Sequence, residues 1–247
     1  MKPGEPVLLK CDDKVFFVRA ENENLHTDVG VFELNRLVDM QWGDVITSHL
    51  GHEFKVQRPR APDLYHYLKR TGAPMSPKDI GMIISYTGLN NNDTGLDAGT
   101  GSGILAIYLG LIAKKVITYE IQETFVQVAR SNINLAGLEN VEVRSGDIVQ
   151  EITKLNESFD LVTLDMHHAA DVIPDVRSVL NPGGYCVVFS PFIEQAKQVR
   201  LAVNNAGFKD VITFEFTQRE ISFSQRGTRP STTRVGHTGY ITFIRDI

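Results

Sequence analysis

Cysteine is scarce in this chain, with only Cys11 and Cys186 among 247 residues. Two cysteines cannot build a disulfide framework, and their spacing matches no metal-binding motif. The chain also lacks an apolar run long enough to cross a bilayer, and its first residues, Met-Lys-Pro-Gly-Glu, are too polar for a cleavable signal peptide. These absences predict a soluble cytoplasmic protein with reduced thiols, no bound metal and no membrane partner.

A strong charge imbalance is absent as well. The net charge of -5 comes from 25 Lys and Arg against 30 Asp and Glu. It argues mildly against a nucleic-acid partner, because phosphate binding requires cations. Basic residues nevertheless cluster at 55–60, 69–70 and 219–234. Each cluster is either a solvated face or a binding patch.

Two patterns of apolar residues divide the chain. Residues 1–62 contain short alternating runs between turn residues, which predicts a small antiparallel β domain. Residues 63–247 alternate strand and helix patterns, with a linker helix and turn at 63–77. This alternation predicts an α/β fold with a mostly parallel sheet and an antiparallel last strand. The predicted strands are 94–97, 116–120, 141–145, 159–165, 184–190, 210–224 and 238–245, with a break inside 210–224 left open. The predicted helices are 78–87, 102–113, 122–136, 169–180 and 192–206.

A glycine-rich turn is the most informative local feature. Residues 94–105 read Thr-Gly-Leu-Asp-Ala-Gly-Thr-Gly-Ser-Gly-Ile-Leu, which predicts a buried strand ending in Asp97, a turn, and the start of a helix. Gly99, Gly101 and Gly103 allow the backbone to approach a ligand closely. Their spacing differs from the pyrophosphate motif G-x-G-x-x-G, and a carboxylate does not suit a bare pyrophosphate. The turn therefore favours S-adenosylmethionine over a dinucleotide, with a purely structural turn as the alternative.

Three further predicted strands end at acidic residues. Glu120 lies 23 residues after Asp97, a spacing that suits hydrogen bonds from a ribose diol. Asp147 is placed to accept from an adenine amine, with Ile148 against the ring, and Asp165 ends the fourth strand. A lone aspartate at such a place is commonly a helix N-cap. Four acids at successive strand ends instead favour one shared adenosyl pocket, because parallel strands present their carboxyl ends at one edge.

These motifs resemble the class I S-adenosylmethionine-dependent methyltransferases from about residue 75 onward. The stretch from Arg229-Pro230 to Tyr240 is similar to the C-terminal signature of the tRNA adenine-N1 methyltransferases of the TrmI type, especially the archaeal ones. The N-terminal half resembles the same family, in order, at residues 26–30, 43–48 and 65–79. The resemblance therefore extends over nearly the whole chain, and it implies a Rossmann-like methyltransferase sheet behind a small β domain.

The resemblance implies transfer of a methyl group from S-adenosylmethionine to N1 of adenine 58 in the T-loop of tRNA, and in archaeal members of the adjacent adenine 57. It also implies a homotetramer of two tight dimers. The candidate cofactor-binding residues are Ser76, Asp97, Gly99, Gly101, Ser102, Gly103, Ile104, Leu105, Glu120, Phe125, Asp147, Ile148 and Asp165. Asp165 is also the candidate catalytic residue, as the acid that binds the target base. Arg226, Arg229 and Arg234 are candidate tRNA contacts, with structural pairing as the alternative.

One segment departs from the family pattern. The family usually has Asp-Leu-Pro after the fourth strand, whereas residues 165–169 read Asp-Met-His-His-Ala. Loss of the proline loosens the loop and restores a backbone donor. The resemblance therefore does not determine the shape of the base-binding pocket or the exact target base. His167 and His168 are either catalytic additions or surface loop residues. A methyltransferase for a small molecule or a protein side chain, and a non-catalytic subunit, are the two other functions that stay open.

Overall fold

A computed structural model describes residues 1–232 and 236–245. The chain divides into two compact units. The first comprises Met1–Lys69 and Arg130–Glu139, and the second comprises Arg70–Ala129 and Asn140–Ile247. The first unit thus extends beyond residue 62 and includes a segment from the middle of the chain.

The first unit contains a small antiparallel sheet. The elements of this unit are β1 (Pro6–Cys11), β2 (Lys14–Arg19), β3 (Asn24–Thr27), β4 (Gly30–Glu33), β5 (Val45–Thr47), β6 (Glu53–Gln57) and helix α1 (Ala61–Tyr67). Four strands form a sheet in the order β2-β1-β6-β5, and β3 pairs with β4 as a hairpin. The rings of Phe16, Phe32 and Phe54 cluster in its core, with centroids 5.1 to 6.3 Å apart. The antiparallel character predicted from the alternating pattern is confirmed.

The segment 130–139 belongs to the first unit through side-chain hydrogen bonds. Asn132 accepts the backbone N–H of Lys69 at 3.2 Å and donates to its carbonyl at 2.8 Å. The Arg19 guanidinium donates to Asn134 Oδ1 at 2.7 Å. The partners are 63 and 115 positions apart in the chain, a separation that local sequence patterns do not reveal.

The remainder of the chain alternates strands and helices. The strands are β7 (Thr94–Ala98), β8 (Lys115–Glu120), β9 (Val141–Ser145), β10 (Phe159–Leu164), β11 (Leu180–Ser190), β12 (Asp210–Glu215), β13 (Ile221–Ser224), β14 (Gly227–Pro230) and β15 (Tyr240–Arg245). The helices are α2 (Pro77–Thr87), α3 (Ile104–Gly110), α4 (Glu123–Leu135), α5 (Ile148–Glu151), α6 (Ala169–Val176) and α7 (Ile193–Asn205).

Seven strands form the central sheet, in the order β12-β15-β11-β10-β7-β8-β9. The strands from β9 to β11 in this order pair in parallel, and β15 pairs antiparallel with both β11 and β12. The predicted α/β fold with an antiparallel last strand is confirmed. From β7 the chain passes to β8 and β9 on one side, and it then crosses to β10 on the other side of β7. This reversal of strand order opens a crevice at the carboxyl ends of these strands.

Several element boundaries differ from the sequence prediction; for example, β11 begins at Leu180 and α3 ends at Gly110. The strand predicted at 210–224 ends at Glu215, and β13 then pairs with β14 in a separate hairpin. The helix predicted from residue 102 begins at Ile104, because Gly103 precedes it in a left-handed conformation with φ of 82°. The helix predicted to reach residue 180 ends at Val176.

The helices of the described residues are short. The two longest, α4 and α7, contain 13 residues each. In these parts of the chain no helix has the length and apolar character required to cross a bilayer.

Candidate active site

The glycine turn brings the end of β7 against the end of β10. Gly99 has φ of +87°, and a Cβ built on it would lie 2.0 Å from the carbonyl oxygen of Asp165. The N–H of Asp165 donates to the carbonyl of Ala98 at 2.9 Å. A side chain at position 99 would therefore occupy the space of the neighbouring backbone, so glycine is required there for both conformational and steric reasons.

Asp97 lies beneath the turn and is fully buried. Its carboxylate accepts the hydroxyl of Thr118, on β8, at 2.6 Å and the hydroxyl of Thr163, on β10, at 2.7 Å. Burial raises the pKa of Asp97 to about 6; the two hydroxyl donors oppose this shift and the charge of Glu120 adds to it. The sequence interpretation placed Asp97 in contact with a ligand, but its side chain does not line the cavity described below. Asp97 instead supports the turn from below, because both of its oxygens are directed at neighbouring strands.

Glu120 is organised by the turn. One carboxylate oxygen accepts the N–H of Gly101 at 2.9 Å, and the other accepts the N–H of Gln122 at 2.9 Å. Each oxygen retains lone-pair capacity for a second donor. The side chain is 6 % exposed and lines the cavity, so its orientation is fixed before any ligand binds.

Asp147 combines two roles. It is the N-cap of α5, where its side chain accepts the N–H of Val149 at 3.0 Å. It also lines the cavity together with Ile148 and Phe125. A capping role does not exclude a ligand-binding role, because only one carboxylate oxygen is used by the cap.

Asp165 follows β10 and lies in the cavity wall. Burial raises its pKa to about 7, and the nearby charge of Asp97 adds to this effect. The side chain makes no hydrogen bond to another described residue. A carboxylate with unused acceptors and a pKa near neutrality is typical of a group that meets a ligand.

These residues surround a cavity of about 650 Å³ in the second unit. Ten of the predicted cofactor-binding residues line it: Gly99, Gly101, Ser102, Ile104, Leu105, Glu120, Phe125, Asp147, Ile148 and Asp165.

The other three predicted residues, Asp97, Gly103 and Ser76, are not among its lining residues. Gly103 caps α3, and Ser76 caps α2 by accepting the N–H of Asp79. Glycine and serine are both common at helix N-termini, because they suit the capping position. The sequence features that suggest ligand contact at these two residues are therefore also those of helix caps.

The sequence interpretation missed several lining residues. They include Thr71, Met75, Thr100, Tyr119, Gln122, Met166 and Asp171. Thr100, Tyr119, Gln122 and Met166 lie within two positions of an identified residue, so extending each motif by two positions finds them, whereas Asp171 lies six positions after Asp165. Thr71 and Met75 lie in an irregular loop that carries no periodic signal. The Thr71 hydroxyl is buried without a hydrogen-bond partner in the described structure, as expected of a group that meets a polar ligand.

The candidate RNA contacts lie elsewhere in the chain. Arg226 joins β13 to β14, and Arg229 lies on β14 opposite Ser222. Both side chains are exposed, and neither forms an ion pair with any residue in 1–232 or 236–245. Arg234 lies outside the described residues.

Comparisons with solved structures define the class of protein. A SAM-dependent O-methyltransferase from Thermotoga maritima is 28% identical, with a TM-score of 0.80 over 100% of this chain and 94% of its own. The tRNA (m1A58) methyltransferase TrmI from Aquifex aeolicus, at 24% identity, has a TM-score of 0.73 over 100% of this chain and 98% of its own. The mostly parallel seven-stranded sheet with its helices is thus that of a class I methyltransferase fold.

Sequence relatives identify the family. The family described as tRNA methyltransferase complex GCD14 subunit matches residues 62–227. The tRNA (adenine(57)-N(1)/adenine(58)-N(1))-methyltransferase TrmI of Methanocaldococcus jannaschii is 34% identical over 94% of this chain and 91% of its own length. The tRNA (adenine(58)-N(1))-methyltransferase TrmI of Thermus thermophilus is 28% identical over 98% of this chain and 97% of its own. The chain belongs to this tRNA methyltransferase family, and the resemblance found in the sequence is confirmed.

Proposed function

We propose that this chain transfers a methyl group from S-adenosylmethionine to N1 of a T-loop adenine in tRNA, at position 58, with the adjacent position 57 as a second candidate target. The observation that carries the proposal is the Asp165 carboxylate in the wall of a cavity that Glu120 and Asp147 also line. The similarity to the M. jannaschii relative, which extends over 94% of the chain, supports the choice of substrate. Family membership favours this function over methylation of a small molecule or a protein side chain.

The cavity fits S-adenosylmethionine on chemical grounds. Glu120 has acceptor capacity for a ribose diol, and Asp147 has a free oxygen for the adenine amine. Ile148 and Phe125 line the cavity and are proposed to supply apolar surface for the ring. Ser102, Ile104 and Leu105 also line it and are proposed to contact the methionine end. When bound, the cofactor supplies a methyl group already activated by the positive sulfur.

Glu120 provides a direct test of cofactor binding. We expect Glu120→Gln to lower the affinity for S-adenosylmethionine about 10- to 100-fold, measured by isothermal titration calorimetry. The amide NH₂ would face a backbone N–H of Gly101 or Gln122, and the charge-assisted acceptor for the ribose is lost. Glu123→Gln is the matched control, because Glu123 is exposed on the next helix and does not line the cavity. Equal affinities for the two variants would contradict the ribose assignment.

Asp165 is the proposed catalytic residue. Adenine N1 attacks through a lone pair and has no proton to lose first, so the enzyme does not need a base at N1. Positive charge that develops on the ring makes the exocyclic amine a stronger hydrogen-bond donor. The Asp165 carboxylate accepts that hydrogen bond, orients the base and stabilises the charge.

Incubation with unmodified tRNA transcript and isotopically labelled cofactor tests the reaction. Nucleoside mass spectrometry is expected to find the label in 1-methyladenosine. Label in another nucleoside would change the assigned acceptor atom. Absence of label from tRNA, with transfer to a small molecule or a protein, would replace the proposed function with the alternative.

We also propose that Arg226, Arg229 and Arg234 contact the RNA backbone. N1 lies on the Watson–Crick edge, so the target adenine must be exposed to the enzyme, and phosphate contacts would hold the surrounding RNA. The exposed, unpaired guanidinium groups of Arg226 and Arg229, as seen within the described structure, support this role.

Salt dependence tests these arginines. Replacing all three with glutamine is expected to weaken tRNA binding and to lower the slope of log K against log salt by roughly 2, because each phosphate contact contributes about 0.7 to 0.9. The matched control replaces three other exposed cations, Lys114, Lys197 and Lys209, with glutamine. If both triple variants change the slope equally, only net charge matters and the arginines are not specific contacts.

The assembly is proposed to be a homotetramer of two dimers. An aromatic cluster supports self-association: Tyr86 is 43% exposed, and its ring lies 5.0 to 5.7 Å from those of Phe214, Phe216 and Phe243. Tyr86 is the exposed ring of this cluster, and exposed tyrosine is common at protein interfaces. Sedimentation equilibrium of the purified protein is expected to give four times the mass of one chain.

A further inference from the structure

The loop that replaces the family's Asp-Leu-Pro segment carries a histidine with a defined environment. His167 lies two residues after Asp165, and both residues line the cavity. Its Nδ1 lies 3.0 Å from the side-chain nitrogen of Gln195, in the first turn of α7. The imidazole is therefore held at the cavity by a contact from another element.

The orientation of the Gln195 amide is fixed by the helix terminus. Its Oε1 accepts the backbone N–H of Phe192 at 3.2 Å, which is a capping interaction. Reversing the amide would place its NH₂ group against that N–H, donor against donor. The NH₂ group of Gln195 must therefore face His167.

This orientation determines the tautomer of His167. Nδ1 accepts a hydrogen bond from Gln195, so in the neutral ring the proton resides on Nε2. Nε2 makes no hydrogen bond to any residue of the described structure. The ring thus offers one N–H donor at a cavity whose wall also contains the acceptor Asp165.

We propose that His167 reads the target adenine by donating from Nε2–H to N7 while Asp165 accepts from N6, an assignment that rests on the proposed function. On its major-groove edge, adenine presents the donor N6 beside the acceptor N7. In DNA complexes a single Asn or Gln forms hydrogen bonds to both atoms. Here two residues of one loop divide that task. The contact leaves N1 unobstructed for methyl transfer.

The same pair of contacts is expected to disfavour guanine. Guanine carries the acceptor O6 where adenine carries the donor N6, so its O6 would face the Asp165 carboxylate. His168 has a different environment, since its Nδ1 lies 3.8 Å from the Asp171 carboxylate, one helical turn away. His168 also lines the cavity, but in the described structure no amide fixes its tautomer as Gln195 fixes that of His167, so the donor role is assigned to His167.

A tRNA with 7-deazaadenosine at the target position tests the contact, because this analogue replaces N7 with a C–H group. Semi-synthetic tRNAs carrying adenosine or 7-deazaadenosine are compared by kcat/KM for the wild-type enzyme and for His167→Ala. His167 is exposed in the described structure, so loss of its contact is expected to cost one ordinary hydrogen bond. The ratio of the two substrates is therefore expected to fall about fivefold in His167→Ala. Effects of the replaced atom on N1 itself are the same for both enzymes and cancel between the ratios.

His168→Ala is the matched control and is expected to keep the wild-type ratio, whatever its effect on absolute rate. His167→Gln, which retains an N–H donor, is expected to restore part of the preference for adenosine. A ratio that is unchanged in His167→Ala, within twofold, would overturn the N7 contact while leaving the proposed function intact. If the wild-type enzyme methylates neither tRNA, the proposed function itself fails, and the base contact fails with it.

Discussion

Replacing Asp165 with asparagine is expected to reduce methyl transfer to tRNA about a hundredfold or more. The amide can still orient a base, but it cannot supply the negative charge that opposes the positive charge developing on adenine. Losing one preorganised electrostatic contact of this kind commonly costs 10²- to 10³-fold in rate. Single-turnover methylation with saturating cofactor measures the chemical step directly. Asp165→Ala, which also loses the hydrogen bond, is expected to be slower still.

The stability of Asp165→Asn separates a catalytic loss from a folding defect. Because burial raises the pKa of Asp165 to about 7, above its usual value of 3.8, the folded protein holds this proton more tightly than the unfolded chain does. The wild type therefore loses stability as pH rises from about 4 to 7, and asparagine removes this loss. We expect Asp165→Asn to be more stable than wild type by roughly 2 kcal/mol at pH 8, after allowance for its partial solvent contact.

Two results would contradict the assignment of Asp165. Near-normal turnover of Asp165→Asn, with cofactor affinity unchanged, would show that the carboxylate does not act on the base. A lower unfolding midpoint at pH 8, accompanied by loss of cofactor binding, would show that the residue is structural.

The second large effect is expected for Gly99→Ala. The new Cβ would lie 2.0 Å from the carbonyl oxygen and 2.7 Å from the carbonyl carbon of Asp165, and φ at this position is +87°. Both atoms belong to backbone that is itself hydrogen-bonded to β7, so the clash cannot be relieved by a side-chain rotation. We expect a loss of about 3 to 5 kcal/mol in stability, measured by denaturant unfolding.

Gly81→Ala is the matched control for that substitution. Gly81 lies within α2, has no positive φ, and a Cβ built there meets no atom within 4 Å. Alanine is favoured over glycine in a helix interior by about 1 kcal/mol, so this variant is expected to be as stable as wild type or slightly more stable. Equal unfolding midpoints for the two variants would show that the turn accommodates a side chain.

The sequence predicted the acids of the site because strand ends are readable from local patterns. Glu120, Asp147 and Asp165 each end or follow a predicted strand, and the parallel fold brings such positions together. Asp97 satisfied the same rule yet lies below the cavity. The reason is the register of three strands, which places Thr118 and Thr163 on either side of it. Register between strands depends on tertiary packing and has no local sequence signal.

Three other features of the structure could not be predicted from local sequence patterns, because they also depend on tertiary packing or lie in irregular backbone. Gln195 and His167 are 28 positions apart, and their contact requires α7 and the loop after β10 to be adjacent. The sequence pattern joins β13 to β12 in one run, with a break left open, because the exposed residues of β13 still have strand-forming character, and it does not predict β14. Thr71 and Met75 lie in irregular backbone, where residue type alone gives no position.

The hydrogen bonds from Thr118 and Thr163 to Asp97 have a consequence for how the ligand cleft is built. All three side chains lie at one level of the sheet, so a single carboxylate ties three adjacent strands together just below their ends. The spacing between the loops that carry Gly101, Glu120 and Asp165 is thereby set during folding. Less conformational freedom remains to be lost when the two substrates arrive, and more of their binding free energy is available for holding the methyl donor and acceptor in line.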